Sequence, residues 1–341
     1  MLIASIFVAG SLVAFFLTWG FERFARDRGL LDVPNERSSH QVPTPRGGGI
    51  AVVVSVIALL PVLYVGGALP RDLVIAVCGA GAWTALIGFV DDHRHFPIRW
   101  RLPAQFAGPA WALYWLSGPW EQGIDGWMVS GPLAILLAAL YAVWLLNLYN
   151  FMDGIDGIAS IEAITVSAGA GALYLVTVPE TGLWTAPILV LAAVGGFLYW
   201  NYPPARIFMG DVGSGFLGII FAVLSIHAGS IAGELFWAWL ILLGVFIVDA
   251  TTTLSRRLLR RNRPYEAHRS HAYQYAARRL GSHKPVSLLV GAINLLWLCP
   301  IALWVGTGRG HAIVGIAVAY LPLLWLAFHL KAGAPELQAI E

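Results

Sequence analysis

Long uninterrupted apolar runs, each near the length of a bilayer crossing, recur along the whole chain and decide what it can fold into. A backbone inside hydrocarbon finds no water for its N–H and C=O groups, so each crossing must bond to itself as a helix of about 20 residues. On that ruler eleven runs qualify, at roughly 1–21, 48–67, 72–90, 102–119, 132–149, 158–177, 183–201, 213–231, 235–254, 286–306 and 311–330. With 58% hydrophobic and only 12% charged residues, a water-soluble domain of 341 residues could not hide its apolar surface. The expectation is an all-α polytopic integral membrane protein. No fixed-period repeat, low-complexity tract or linker divides the chain, so it reads as one domain over 1–341.

Charge placement sets the expected orientation. Eleven crossings put the two termini on opposite sides, and nineteen of the 21 Lys and Arg residues then fall on one side, against Arg71 and Arg309 on the other. Positive charge marks the cytoplasmic side, which predicts the amino end outside and the carboxyl end in the cytoplasm. The first 20 residues are apolar with no basic segment before them, which reads as a first crossing rather than a cleaved signal. Cys78 and Cys299 both lie inside apolar runs, where packing is expected and a disulfide is not.

The acids are few and grouped, and this topology puts the groups at cytoplasmic ends of crossings. Asp91-Asp92 closes the third run. Adjacent carboxylates repel unless a cation sits between them, and two acids at a helix C-terminus oppose its dipole, so a merely solvated helix end is a poor explanation. Mg²⁺ held by one or two carboxylates and substrate phosphate oxygens meets the need. In Asn147-Leu-Tyr-Asn150-Phe-Met-Asp153-Gly-Ile-Asp156-Gly157 the amide and two carboxylates recur every three residues, on one face of a helix or turn. Helix capping accounts for one Asp, not for Asn150 and Asp153 as well. In Gly210-Asp211-Val-Gly213-Ser214-Gly215 a glycine-rich helix entry offers free N–H groups to phosphate. Asp211 would repel that phosphate, and makes sense as the ligand of a metal bridging protein and pyrophosphate.

Two basic loops accompany these acids. His268-Arg269-Ser270-His271 lies in the strongly basic 255–285 segment. Charge next to anionic lipid explains its arginines, while the two histidines add donors for phosphate or leaving-group contacts. No Cys or third His stands at zinc-ligand spacing. The loop 32–49, rich in Pro and polar residues, reads as ordered turn, with Arg37, His40 and Arg46 able to steer an anion. Asp249 and Glu162, one or two turns inside their runs, read as structural partners of a neighbouring helix. His227, His311 and His329 are assigned no role.

Taken together, these pieces resemble the polyprenyl-phosphate N-acetylhexosamine-1-phosphate transferases, membrane enzymes that start bacterial envelope glycan synthesis. The resemblance runs from about residue 32 to residue 274. It rests on Pro34-Asn35-Glu36-Arg37-Ser38-Ser39-His40, Pro43-Thr44-Pro45-Arg46-Gly47-Gly48-Gly49, Asp91-Asp92, the Asn147–Gly157 stretch, Gly210-Asp211-Val-Gly213-Ser214 and the histidine loop. It implies a cytoplasmic active-site face in the bacterial inner membrane, with Mg²⁺ as cofactor and Mn²⁺ as its substitute. The implied reaction moves a sugar-1-phosphate from a UDP-N-acetylhexosamine to undecaprenyl phosphate and releases UMP. Carried onto this chain, Asn150 and Asp211 become metal candidates. Asp91 becomes the base for the lipid phosphate, with Asp92 assisting at the metal. Asp153 and Asp156 would contact the nucleotide, and His268 and His271 the pyrophosphate side, with His271 counted among the catalytic candidates. Arg101 stands where relatives carry a basic residue ahead of a Gln, and joins Arg37 and Arg46 as a substrate-binding candidate.

Many members carry His-x-His-His where this chain has His268-Arg-Ser-His271. That departure points to the branch serving O-antigen or related surface polysaccharides, with N-acetylglucosamine, N-acetylfucosamine or N-acetylquinovosamine donors, and away from the peptidoglycan branch. The implied partners are the two substrates and the bilayer, with no nucleic acid, and the resemblance is compatible with a homodimer. The competing expectation is a secondary transporter. Transporters hold their sites near the midplane, often between repeats, whereas these acids sit at one surface and no repeat is visible. A non-catalytic lipid-binding subunit leaves the three acidic patches unexplained.

Overall fold

The computed structural model describes residues 2–34, 42–93, 97–116, 131–261 and 269–334. The described part of each of the eleven apolar runs is mainly helical, which follows from the lack of any other partner for its backbone. The helices are α1 (Leu2–Asp27), α2 (Ile50–Val65), α3 (Arg71–His93), α4 (Ile98–Gln105), α5 (Ala107–Trp115), α6 (Gly131–Met152), α7 (Ile158–Thr177), α8 (Thr185–Asn201) and α9 (Gly210–Ile231). They continue as α10 (Gly233–Leu242), α11 (Gly244–Leu259), α12 (Ala272–Leu280), α13 (His283–Ile293), α14 (Cys299–Gly306) and α15 (Ala312–His329). The all-α expectation has one small exception among the described residues. Leu31–Asp32 (β1) and Thr44–Pro45 (β2) pair antiparallel, giving the 32–49 loop a fixed root.

The eleven runs are not eleven equal crossings. Among the described residues seven helices are long and apolar enough to cross, and an eighth crossing follows if α10 and α11, which meet at a 71° bend, count as one. At 1.5 Å per residue the 16 residues of α2 reach only about 24 Å, short of a hydrocarbon core about 30 Å thick. The run expected at 102–119 is broken at Phe106 into α4 and α5, and its last residues lie outside the described set. A π-helical turn, Asn294–Leu298, joins α13 to α14. The result is a multi-span membrane protein in which seven or eight of the described helical units have crossing length and the remaining apolar runs form shorter helices.

Burial sorts the helices. Helix α9 is almost wholly enclosed, packed by α2, α3, α6 and α10, whereas α1 and α15 expose most of their apolar windows. Val8, Leu12, Phe16, Leu296 and Trp325 stand on outer faces more than half exposed, a surface that suits lipid and not water.

Glycines let the enclosed helices approach closely around the amino end of α9. A Cβ on Gly88 of α3 would lie 2.4 Å from the Asp211 carbonyl oxygen, and one on Gly213 would lie 2.7 Å from the Gly49 Cα. Farther along α9, a Cβ on Gly218 would lie 2.7 Å from the Leu146 Cα on α6. Small residues at such crossings permit van der Waals packing of backbones, which drives helix association in lipid. Gly88→Ala is therefore expected to force α3 and α9 apart, with about 1–3 kcal/mol lost to overpacking. Thermal unfolding of the detergent-solubilised protein checks this, and an unchanged midpoint would contradict the close crossing.

Candidate active site

The amino end of α9 is where the site assembles. Gly210 has φ +75°, and a Cβ there would lie 2.7 Å from Asp92 Oδ2, so glycine answers both to the turn and to the neighbour. Asp92, on the last turn of α3, accepts from the Asp211 N–H at 3.0 Å and the Val212 N–H at 3.1 Å. This carboxylate caps a helix other than its own. At the end of α3 it faces the wrong end of a dipole, and at the start of α9 it faces the favourable one. Its side chain is only 3% exposed.

Arg46 completes the junction. Its Nε donates to Asp92 Oδ1 at 2.9 Å, and its Nη2 is ion-paired with Asp211 Oδ1. A short main-chain ladder brings it there: Phe208 N donates to Pro45 O at 2.8 Å, Gly48 N to Phe208 O at 2.9 Å and Gly49 N to Met209 O at 2.9 Å. Gly47 is needed for its left-handed backbone, φ +94°, and Gly48 and Gly49 because other atoms lie within 3 Å of where a Cβ would go.

Beside this junction, residues from α3, α4, α6 and α9 line one cleft. Its polar members include Asp91, Arg101, Gln105, Asn147, Asn150 and Asp211. Asp91 Oδ2 is ion-paired with Arg101 Nη1 across the gap between α3 and α4. Asn150 donates through Nδ2 to Ser214 Oγ at 3.1 Å, and Asn147 through Nδ2 to Gln105 Oε1 at 2.9 Å. In each asparagine the amide nitrogen holds the neighbouring helix, which leaves the carboxamide oxygen for a ligand. Helical spacing is the signal for the two residues that carried no assignment, since Gln105 is one turn from Arg101 and Asn147 one turn from Asn150.

Asp153 belongs to the same neighbourhood. Desolvation by the surrounding protein pushes its carboxyl well above the usual carboxylate range. Arg46 opposes that shift, and the charges of Asp211, Asp92 and Asp156 add to it. A carboxylate in this position gains from a cation brought alongside it.

Oxygen donors predominate in the cleft, and among the described residues neither Cys nor His lines it. Among the described residues no three His, Cys, Asp or Glu side chains are grouped so as to hold an ion unaided. That donor set fits a hard divalent ion such as Mg²⁺, which takes one or two carboxylates and completes its shell with water and substrate phosphate. It does not fit a preformed protein cage.

Other expected site residues lie elsewhere. Asp156 is not in the cleft lining; its Oδ2 accepts the Ala205 N–H at 3.1 Å and lies 3.3 Å from His283 Nδ1. His271 is 3% exposed, stands at the N-cap of α12 and has its Nδ1 3.3 Å from Asp249 Oδ1. Asp249 also accepts the Ala272 and Tyr273 N–H groups, both at 3.0 Å, so it caps α12 from inside α11. Glu162 accepts from Asn294 Nδ2 at 2.7 Å, a pairing with a neighbouring helix. Arg37, His40 and His268 lie outside the described residues.

Known proteins resemble this chain along most of its length. The glycosyl transferase family 4 sequence model matches residues 74–229, a stretch that holds Asp91, Asn150 and Asp211. A probable undecaprenyl-phosphate N-acetylglucosaminyl 1-phosphate transferase of Bacillus subtilis is 27% identical, over 85% of this chain and 82% of its own. A decaprenyl-phosphate N-acetylglucosaminephosphotransferase of Mycolicibacterium smegmatis is 26% identical, over 97% of this chain and 89% of its own. A phospho-N-acetylmuramoyl-pentapeptide-transferase of Chloroflexus aggregans is 31% identical, over 65% of this chain and 64% of its own. The transporter reading finds no support in these relatives. A membrane scaffold, one acidic cleft built from four helices, and these relatives point the same way: the chain matches glycosyl transferase family 4 over residues 74–229, and along most of its length it is similar to polyprenyl-phosphate N-acetylglucosamine-1-phosphate transferases.

Proposed function

We propose that the protein transfers an N-acetylhexosamine-1-phosphate from a UDP-sugar to undecaprenyl phosphate, releasing UMP. The observation that carries this reading is the single cleft in which Asp91, Asn150 and Asp211 meet Arg101, with Arg46 on its border. Such a set can neutralise and align two phosphorylated substrates, and phosphoryl transfer asks for positioning and charge neutralisation above all. N-Acetylglucosamine is the first sugar to test because the relatives' names carry it. The His268-Arg-Ser-His271 pattern favours a surface polysaccharide such as O-antigen, and keeps N-acetylfucosamine and N-acetylquinovosamine among the donors.

In this mechanism Asp91 takes the last proton of the lipid phosphate, and Arg101 holds that carboxylate toward the cleft. The freed phosphate oxygen forms a bond to the sugar-bearing phosphorus of the donor, and the bond from that phosphorus to the bridging oxygen breaks. UMP leaves with the electron pair. Arg46 moves from its carboxylate partners toward the donor's pyrophosphate. Asn150 and Asp211 would hold Mg²⁺, whose charge makes UMP a better leaving group. Asp153 would add its negative charge beside that seat once a cation is bound there. The proposed orientation, amino end outside, sets the cleft at the cytoplasmic headgroup level, where a soluble nucleotide sugar and a lipid phosphate can meet.

The test is UMP release by purified protein with Mg²⁺, undecaprenyl phosphate and a panel of UDP-N-acetylhexosamines that includes the muramyl-pentapeptide donor. Release is expected only with lipid phosphate present and with an N-acetylhexosamine donor. Turnover confined to the muramyl-pentapeptide donor would move the protein to the peptidoglycan branch, and no lipid-dependent release from any donor would sink the reading.

A further inference from the structure

Asp153 stands near three other carboxylates, and among the described residues no hydrogen bond to its own carboxylate is seen. Something else must keep it there. The turn that carries it, 153–157, is clamped at both ends by segments more than a hundred residues away. At its start, Tyr273 Oη donates to Phe151 O at 3.0 Å, and a Cβ on Gly154 would lie 2.1 Å from that hydroxyl. At its end, three groups close on Asp156. His283, the first residue of α13, has its Nδ1 3.3 Å from the Asp156 N–H and 3.3 Å from Asp156 Oδ2. Ser287, one turn later, donates to Asp156 O at 2.8 Å, and the Ala205 N–H donates to Asp156 Oδ2 at 3.1 Å. The side chains of His283 and Asp156 are 18% and 13% exposed, so the clasp is largely enclosed.

We propose that His283 is a positioning residue of the transferase site: through Asp156 it fixes the 153–157 turn and holds the Asp153 carboxylate beside Arg46 and Asp211. This rests on the functional reading above, and gives Asp156 a different task from the nucleotide contact expected of it. Without His283, the turn is free to swing outward and carry the Asp153 carboxyl away from the cation seat. Residues that orient a metal site without touching the metal change affinity or activity about 10–100-fold when removed.

The experiment compares His283→Ala and His283→Asn with the unaltered protein, by UMP release against Mg²⁺ concentration and by Mn²⁺ binding to the purified protein, followed as loss of the free-ion EPR signal. His283→Ala is expected to raise half-saturating Mg²⁺ and the Mn²⁺ dissociation constant about tenfold. Asn, whose amide reaches the place of Nδ1, is expected to restore most of both. A merely structural role lowers the active fraction alone, so a fall in maximal rate with both cation constants unmoved overturns the proposal. So does equal damage by Ala and Asn. If the unaltered protein binds Mn²⁺ but releases no UMP, the functional reading fails, and the Mn²⁺ comparison still decides the role of His283.

Discussion

Asp211→Asn is expected to abolish lipid-dependent UMP release, with a fall of about 10²–10³-fold or more. The substitution removes one charge and almost no volume. Asp92 still caps α9 and still pairs with Arg46, so the fold has no reason to fail. The loss is therefore expected at an unchanged unfolding temperature. Two tasks are open to this carboxylate, holding Arg46 or holding the cation, and they separate in the assay. If Asp211 only anchors Arg46, Arg46→Ala reproduces the defect and half-saturating Mg²⁺ stays where it was. If Asp211 holds the cation, half-saturating Mg²⁺ rises steeply in Asp211→Asn. Intact turnover in that variant would remove Asp211 from the metal role altogether.

Asp92→Ala is expected to act on stability first. It uncaps two N–H groups at the most enclosed of the described crossing-length helices and takes one carboxylate from Arg46. A lost cap costs about 1–2 kcal/mol, and a buried donor left without a partner costs about 1–3 kcal/mol, so a loss of roughly 3 kcal/mol is expected. Asp92→Asn keeps one acceptor oxygen and should fall between. Thermal unfolding in detergent, read beside UMP release, tells this role from a catalytic one. A catalytic Asp92 would give inactive protein with the unaltered midpoint in both variants, and the capping account would then be wrong.

Both predictions depend on contacts that the pattern of the chain did not display. Asp91 and Asp92 are neighbours and looked like one feature. Folded, they divide: Asp91 faces the cleft with Arg101, and Asp92 turns to α9. Asn150, Asp153 and Asp156 share a spacing of three and looked like one face. The chain leaves the helix at Met152, so Asp156 points into the clasp with His283 while Asn150 stays on the cleft. His271 looked like a phosphate donor from composition alone. Its enclosure against Asp249 arises because α11, beyond its 71° bend, places a carboxylate at the start of α12.

What the chain determined by itself is what depends on local order. Runs of apolar residues made the helices and put them in lipid, and the grouping of acids and an amide at their ends named Asp91, Asn150 and Asp211. Which charge meets which was decided only by the tertiary structure. Arg46 lies 165 residues from Asp211, and Asp156 lies 127 from His283. Such partners are chosen by how closely helices can pack, and here glycines at 49, 88 and 213 let three backbones converge where side chains would have held them apart. Periodicity reports the face a residue takes on its own helix. It carries no information on the neighbour that face will meet.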